Sequence, residues 1–150
     1  MRVVIQRVLS ANVTVNQNIV GQIKNGLLVL VGFEEEDSTI DYEWMSKKII
    51  NLRIFGDENG VMNLNCQQVN GDILLVSQFT LYASTQKGNR PSYIRASKPD
   101  IAKEQYQFFH KTLSLEFGKE IPAGIFGADM KVSLINDGPV TIIIDSKAKE

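Results

Sequence analysis

"GLLVLVGF", residues Gly26 to Phe33, is the stretch on which the fold turns. It is apolar without interruption, where a half-exposed strand would alternate apolar and polar residues. A continuous run of this kind marks a strand buried on both faces. Directly beyond it the period changes. After the charged run "EEED", Glu34 to Asp37, apolar residues recur at Ile40, Trp44, Met45, Ile49 and Leu52, the spacing of an amphipathic helix. Ser38 followed by Asp41 resembles a capping box at its start. Upstream, "RVVIQRVLSANVTV", Arg2 to Val15, is rich in Val and Ile with partial alternation and reads as strand. "NQN" and "GQIKNG" are turn signals around short strands.

Downstream, "DENG" is a turn and "DILLVSQFTLYA", Asp72 to Ala83, reads as a strong strand. "STQKGNRPSY" is a loop. A second helix starts near Ser97, with Pro99 in its first turn and Asp100 three residues after the cap. Its inward face holds Ala102, Tyr106, Phe109 and Leu113, and Gly118 terminates it. "ADMKVSLIND" and "PVTIIID" read as two closing strands, followed by a short charged tail, "DSKAKE". The sum is mixed α/β, about seven or eight strands with two helices. Many strands and few helices favour a two-sheet core with both helices packed on one side, in three layers, over a doubly wound fold. Residues 1–150 are expected to form a single domain.

With 43% hydrophobic and 22% charged residues, the chain has the composition of a soluble globular protein. Its net charge of −1 excludes a global basic field for broad nucleic-acid binding, though a local patch can still touch RNA. The single cysteine, Cys66, permits no intrachain disulfide, which fits a reducing compartment. The opening residues lack the apolar core of a signal peptide, and no stretch approaches transmembrane length. A cytoplasmic protein without a membrane partner is expected.

The usual side-chain engines are missing. The one histidine, His110, sits beside Phe108 and Phe109 in the second helix and reads as a helix-surface or partly buried residue. Cys66, in "NLNCQQ", has no flanking base or cation and reads as a bland thiol. Glu34 to Asp37 read as a solvated run before a helix, favoured by its dipole. No cluster has metal-ligand spacing, and neither a Walker loop nor GxGxxG occurs.

What remains is "SQFTLYA", Ser77 to Ala83. It sets Ser77, Gln78 and Thr80 behind the buried run "ILLV", where polar groups need partners. One reading is structural, a half-exposed strand with Gln78 in water. The other is a polar pocket wall in which Gln78 and nearby backbone N–H groups stabilise an oxyanion. Thr80 lacks a visible base, which favours positioning over nucleophilic attack. The loop "QKGNRPSYIR" carries Lys87, Arg90 and Arg95 with Tyr93. It is either a solvated loop or a phosphate-binding patch with a stacking aromatic, suited to a single-stranded RNA end. Arg7, a lone cation in an apolar strand, needs a carboxylate or a backbone carbonyl. "NDGPVTI", Asn136 to Ile142, pairs the loosest backbone residue with the stiffest.

Taken together, "MRVVIQRV", "SQFTLYA", "KGNRPSY" and "NDGPVTI" resemble the D-aminoacyl-tRNA deacylases, in order and over essentially the whole chain. Two separated motifs, Ser77–Thr80 and Gly138–Pro139, are far more specific than either alone. Departures are peripheral. Asn89 stands where a basic residue is frequent, and Ile142 follows "GPVT" where an aromatic is common.

The resemblance implies hydrolysis of the ester joining a D-amino acid, or wrongly attached glycine, to the terminal adenosine of tRNA. It implies a homodimer in which Gly138–Pro139, as a cis peptide, enters the partner's pocket and excludes L side chains. It implies substrate-assisted catalysis through the ribose 2′-hydroxyl, without metal or cofactor. Gln78 and the N–H of Phe79 or Thr80 would contact the carbonyl and oxyanion, and Ser77 and Thr80 would shape the ester site. Met130 would line the pocket, Arg7 would support it, and Lys87 and Arg90 would touch tRNA. The partner is then the aminoacyl-tRNA acceptor end, not DNA. Two alternatives stand beside this reading. One is a non-catalytic module for tRNA 3′ ends. The other is a relative with a trans Gly-Pro bond that admits small L residues.

Overall fold

The expected doubly buried strand lies at the centre of the fold. The structure, a computed structural model, describes residues 1–149. Within it β3, Gly26–Gly32, is buried throughout except at half-buried Leu30. It runs antiparallel to β1 (Arg2–Val15) and parallel to β6 (Asp72–Ser77). A parallel neighbour demands a crossover. That crossover carries helix α1 (Thr39–Asn51) and the small hairpin β4–β5 (Phe55–Gly56, Met62–Leu64), which is a second sheet. The main sheet has the order β2-β1-β3-β6, with β2 (Asn18–Ile23) beside the far half of β1, and β7 (Lys131–Asp145) on β1's other edge.

β1 and β7 are the longest strands of the sheet, and β1 serves a core on each of its faces. Val3 and Ile5 face the helices, whereas Val8, Ala11 and Val13 join a second, smaller core on the opposite face. The switch in parity has a local cause. Val8 pairs with Asn136 and Ser10 with Ile135, so Leu9 is an extra residue in the ladder. An extra residue on one strand bends it and reverses the facing of the residues beyond it. Leu9 is thereby left exposed.

Both helices pack on one face of the sheet. α1 is capped as its sequence predicts, since the Ser38 N–H donates to the Asp41 carboxylate at 2.9 Å. Met45 and Ile49 are buried, but Ile40, the first residue of the apolar pattern, faces water. α2 (Pro99–Phe117) buries Ala102, Tyr106, Phe109 and Leu113 and ends at Gly118, whose φ of 84° is the left-handed cap glycine tolerates. Its cap is Lys98 rather than Ser97, because Ser97 is drawn inward by its N–H bond to the Phe33 carbonyl at 2.9 Å. Phe33 meets Tyr42 and Phe109 edge-on at 6.0 and 6.1 Å, which joins both helices to the end of β3.

Three further readings of the sequence are corrected. The strand expected over Asp72 to Ala83 stops at Ser77, and the chain enters a 3₁₀ turn, Phe79–Tyr82. The ladder has no further partner there, since β3 ends at Gly32. The two closing strands are one, β7, with an excursion inside it. Asp37 is not a solvated member of a charge run. Its side chain is fully buried and paired with the Met1 ammonium, which also donates to Ser146 Oγ at 2.9 Å. Lys147 binds Asp41 at 2.9 Å, so the expected charged tail is tied down at its start, while Glu150 lies outside the described residues. No helix among the described residues is long and apolar enough to cross a membrane.

Candidate active site

The stretch Ser77–Thr80 stands where the central parallel strands end. Ser77 pairs with Val31, and the Gln78 N–H donates to the Val31 carbonyl at 2.7 Å. The chain then turns. The first bond of the turn runs from the Leu81 N–H to the Gln78 carbonyl at 3.2 Å, so the N–H groups of Phe79 and Thr80 precede the turn's own acceptors. Gly32 makes room for this, since a Cβ there would sit 2.9 Å from the Gln78 carbonyl oxygen. The Gln78 side chain donates to Thr80 Oγ1, which locks the two polar side chains together.

The turn borders a cavity of about 720 Å³. Ser77, Gln78, Phe79 and Met130 line it, and Thr80 does not, its hydroxyl being held by Gln78. Apolar walls come from Val31, Phe33, Val76, Ala102 and Phe126. The Phe126–Met130 segment is positioned from β6, where Leu75 exchanges backbone bonds with Pro122 and Gly124 at 3.0 and 2.9 Å. The charged residues on the lining are Lys98 and Asp129, whose side chains are 77% and 84% exposed. The cavity thus offers amides, hydroxyls and main chain, and no buried acid or base.

His110 is outside this lining, with Nε2 2.7 Å from the Ile121 carbonyl oxygen. Cys66 is buried elsewhere, and burial, with the Asp72 charge, pushes its thiol up to about 12. It is a poor nucleophile at neutral pH. No group of three metal-ligating side chains gathers among the described residues. Lys87 and Arg90 are exposed in the loop beyond the site and do not line the cavity, whereas Tyr93 does.

Gly138 and Pro139 lie in a different hollow, of about 340 Å³, bordered by Arg7, Phe55, Gly56, Gly60 and Met62. The two linings share no residue. On β7, Thr141 pairs with Gln6 and Asn136 with Val8, so Asp137–Val140 bow out opposite Arg7. The Gly138–Pro139 peptide is cis. Gly138 has φ of 130°, and a Cβ there would lie 2.8 Å from Arg7 Nη2. Arg7 meets both kinds of partner its setting demands. Its Nε lies 3.0 Å from the Asp137 carboxylate and donates to the Asp137 carbonyl at 3.1 Å, while Nη1 donates to the Ile54 carbonyl.

Asn136 is the residue sequence reasoning missed. Its amide donates to the Arg7 and Val140 carbonyls at 3.2 and 3.0 Å, and its Oδ1 accepts from the Val140 N–H at 3.2 Å. One carboxamide therefore closes the neck of the excursion. The tendency of Asn to bond nearby backbone in turns is the signal that points to it.

The chain from residue 4 to 145 matches the family model described as D-Tyr-tRNA(Tyr) deacylase. It is 64% identical to a D-aminoacyl-tRNA deacylase of Flavobacterium psychrophilum and 62% identical to one of Flavobacterium johnsoniae, over 150 residues and all of each chain. Among solved structures it resembles a c-Myc DNA Unwinding Element Binding Protein, with TM-score 0.93 and 40% identity, over 99% of this chain and 100% of that one. A probable eukaryotic D-amino acid tRNA deacylase, at TM-score 0.80 and 18% identity over 95% and 97% of the two chains, shares the fold. The motifs at Ser77–Thr80 and Gly138–Pro139 therefore stand in a chain that belongs to the D-Tyr-tRNA(Tyr) deacylase family.

Proposed function

We propose that the cavity beside Gln78 receives the terminal adenosine and ester of a charged tRNA, and that the Gly138–Pro139 excursion of a second copy closes over the amino acid. The activity is that of a D-aminoacyl-tRNA deacylase, a hydrolase that cleaves the carboxylic ester between a D-amino acid and tRNA. One observation supports the two-copy reading above others. The cavity and the Gly-Pro hollow share no lining residue within one chain. β7 also pairs only with β1 among the described residues and presents Ile135 and Ile143 to water, beside the exposed Leu9 of β1. An open edge and exposed apolar side chains suit a second copy.

In this reading the apolar walls hold the adenine, and the carbonyl of the ester faces Gln78 and the N–H groups of Phe79 and Thr80. Charge that develops on that oxygen is met by donors already in place. Thr80 holds the Gln78 amide through its hydroxyl and positions it. An aminoacyl ester is activated, and its own 2′-hydroxyl assists the attack of water, so no titrating side chain is required of the protein. Selectivity rests on main chain. An L side chain would meet the Gly138–Pro139 carbonyls, which cannot rotate aside, whereas glycine and D residues would pass. Lys87 and Arg90 would lie along the acceptor strand. The near-neutral net charge of −1 suits a grip on the acceptor end alone.

The test is a deacylation assay on D-Tyr-, L-Tyr-, L-Ala- and Gly-tRNA with catalytic amounts of protein. Release of D-Tyr and Gly with L-Tyr spared supports the proposal. Binding without release would reduce the chain to a module for tRNA 3′ ends, and release of small L residues would remove the proposed gate.

A further inference from the structure

The cavity, of about 720 Å³, is of a size to take the terminal nucleoside with its amino acid, and the chain that leads into it must cross its mouth. At that mouth three large apolar side chains stand in water: Phe79 is 57% exposed, Tyr93 38% and Ile94 93%. Such a cluster is costly to leave open and marks a contact surface. We propose that Tyr93 and Ile94, braced by Phe79, form the stacking platform for the base of the nucleotide preceding the terminal adenosine. The inference rests on the proposed reading of the cavity.

Three observations carry it. The Phe79 and Tyr93 rings meet edge to face at 5.0 Å and 71°, so the orientation of Tyr93 is set by its neighbour. The backbone around Tyr93 is fixed. Ser84 and Ser92 exchange bonds of 2.8 and 2.9 Å across the neck of the loop, and the Ala96 N–H donates to the Tyr93 carbonyl at 3.0 Å. The loop tip beyond that neck carries the exposed cations Lys87 and Arg90, and the exposed Lys98 also lines the cavity. A surface that is apolar at its centre and cationic at its rim is complementary to a nucleotide, whose base has a π-face and whose phosphate is anionic. Lys98 is only loosely held, at 3.4 Å from Glu35, and can turn to a phosphate.

The probes are two non-hydrolysable 3′-(D-tyrosylamido) compounds, one on adenosine and one on the dinucleotide cytidylyl-adenosine, with an abasic version of the dinucleotide as control. The ratio of affinities carries the test. Wild type should bind the dinucleotide roughly tenfold more tightly than the nucleoside, with the abasic control recovering only part of that gain. Tyr93→Ala should remove the part due to the base, Tyr93→Trp should keep it, and Lys98→Gln should lower the gain seen with the abasic control. The proposal is overturned if Tyr93→Ala leaves the ratio unchanged, or if dinucleotide and nucleoside bind equally to wild type. It is also overturned if Tyr93→Ala shifts the assembly to a smaller species by light scattering, which would assign the platform to a second copy. Tight, ratio-dependent binding of the amides together with no hydrolysis of the corresponding esters would remove the catalytic reading and leave the platform standing.

Discussion

The two hollows of this molecule are built in opposite ways. The cavity beside Gln78 forms where the parallel strands β3 and β6 run out together, and its walls are side chains from several elements. The hollow at Gly138 forms where β7 bows away from Arg7 beside the β4–β5 hairpin, and its prominent feature is main chain. In the proposed reading the first would hold a ligand by shape and apolar contact. The second presents backbone carbonyls on a neck closed by Asn136 and Arg7. A pocket made of side chains can accept many shapes, whereas a stiff main-chain projection can refuse one.

The comparison is broken most severely at Gly138. Gly138→Val places a side chain against Arg7 and Val140 at a φ that L residues rarely adopt. Deacylation of D-Tyr-tRNA should fall by about a hundredfold or more. Gln78→Ala should cost about a hundredfold in kcat by the loss of one donor to the oxyanion. Mixing the two inactive variants decides whether the hollows meet across copies. Random pairing puts one intact site in each mixed dimer, so roughly a quarter of wild-type activity should return. No recovery after verified subunit exchange would mean that each chain uses its own Gly-Pro.

Asn136→Ala sharpens the comparison by loosening the neck without touching the gate. The preference for D-Tyr over L-Tyr should drop by roughly tenfold, with a stability loss on the order of 1–3 kcal/mol from three hydrogen bonds. Unchanged selectivity would mean that Arg7 alone holds the excursion. Thr80→Ala should reduce kcat by no more than about tenfold if, as proposed, the hydroxyl that accepts from Gln78 serves to steady it. Complete loss of turnover with substrate binding intact would make Thr80 the nucleophile instead.

The smallest effect lies far from both hollows. Burial alone would raise the Asp41 carboxyl, but hydrogen bonds from Lys147 and from Ser38 outweigh it and hold it well below its ordinary value. A carboxyl lowered on folding stabilises the protein fully above about pH 4 and loses that contribution as the pH falls further. Asp41→Ala should therefore cost about 1 kcal/mol at pH 7, with the difference from wild type shrinking as acid is added. Activity per folded molecule should not change. Denaturant melts at pH 7 and pH 3 would show it, and an equal gap at both would refute the linkage.

Much of the architecture is legible in residue order. The buried run of β3, the capping pair Ser38 and Asp41, and the apolar stripe of α2 depend on local patterns, and the fold keeps them. The candidate site is legible as motifs and as a resemblance. What residue order misses are contacts between distant segments. The strand expected through Thr80 ends at Ser77 because its partner ends at Gly32. Asp37, read as solvated, is buried because the Met1 ammonium reaches it.

By itself the sequence narrowed the chemistry open to this protein. The lone histidine, the lone cysteine without a flanking base or cation and the polar stretch Ser77–Thr80 point to amides, hydroxyls and main chain as the candidate groups. Only the tertiary structure decided where those groups point. It gathered Gln78 and Met130 on one cavity, turned Thr80 toward Gln78, and set Gly138–Pro139 in a hollow of its own. The reason is that residue type carries donors, acceptors and charge, whereas direction comes from where strands end and where a ladder admits extra residues.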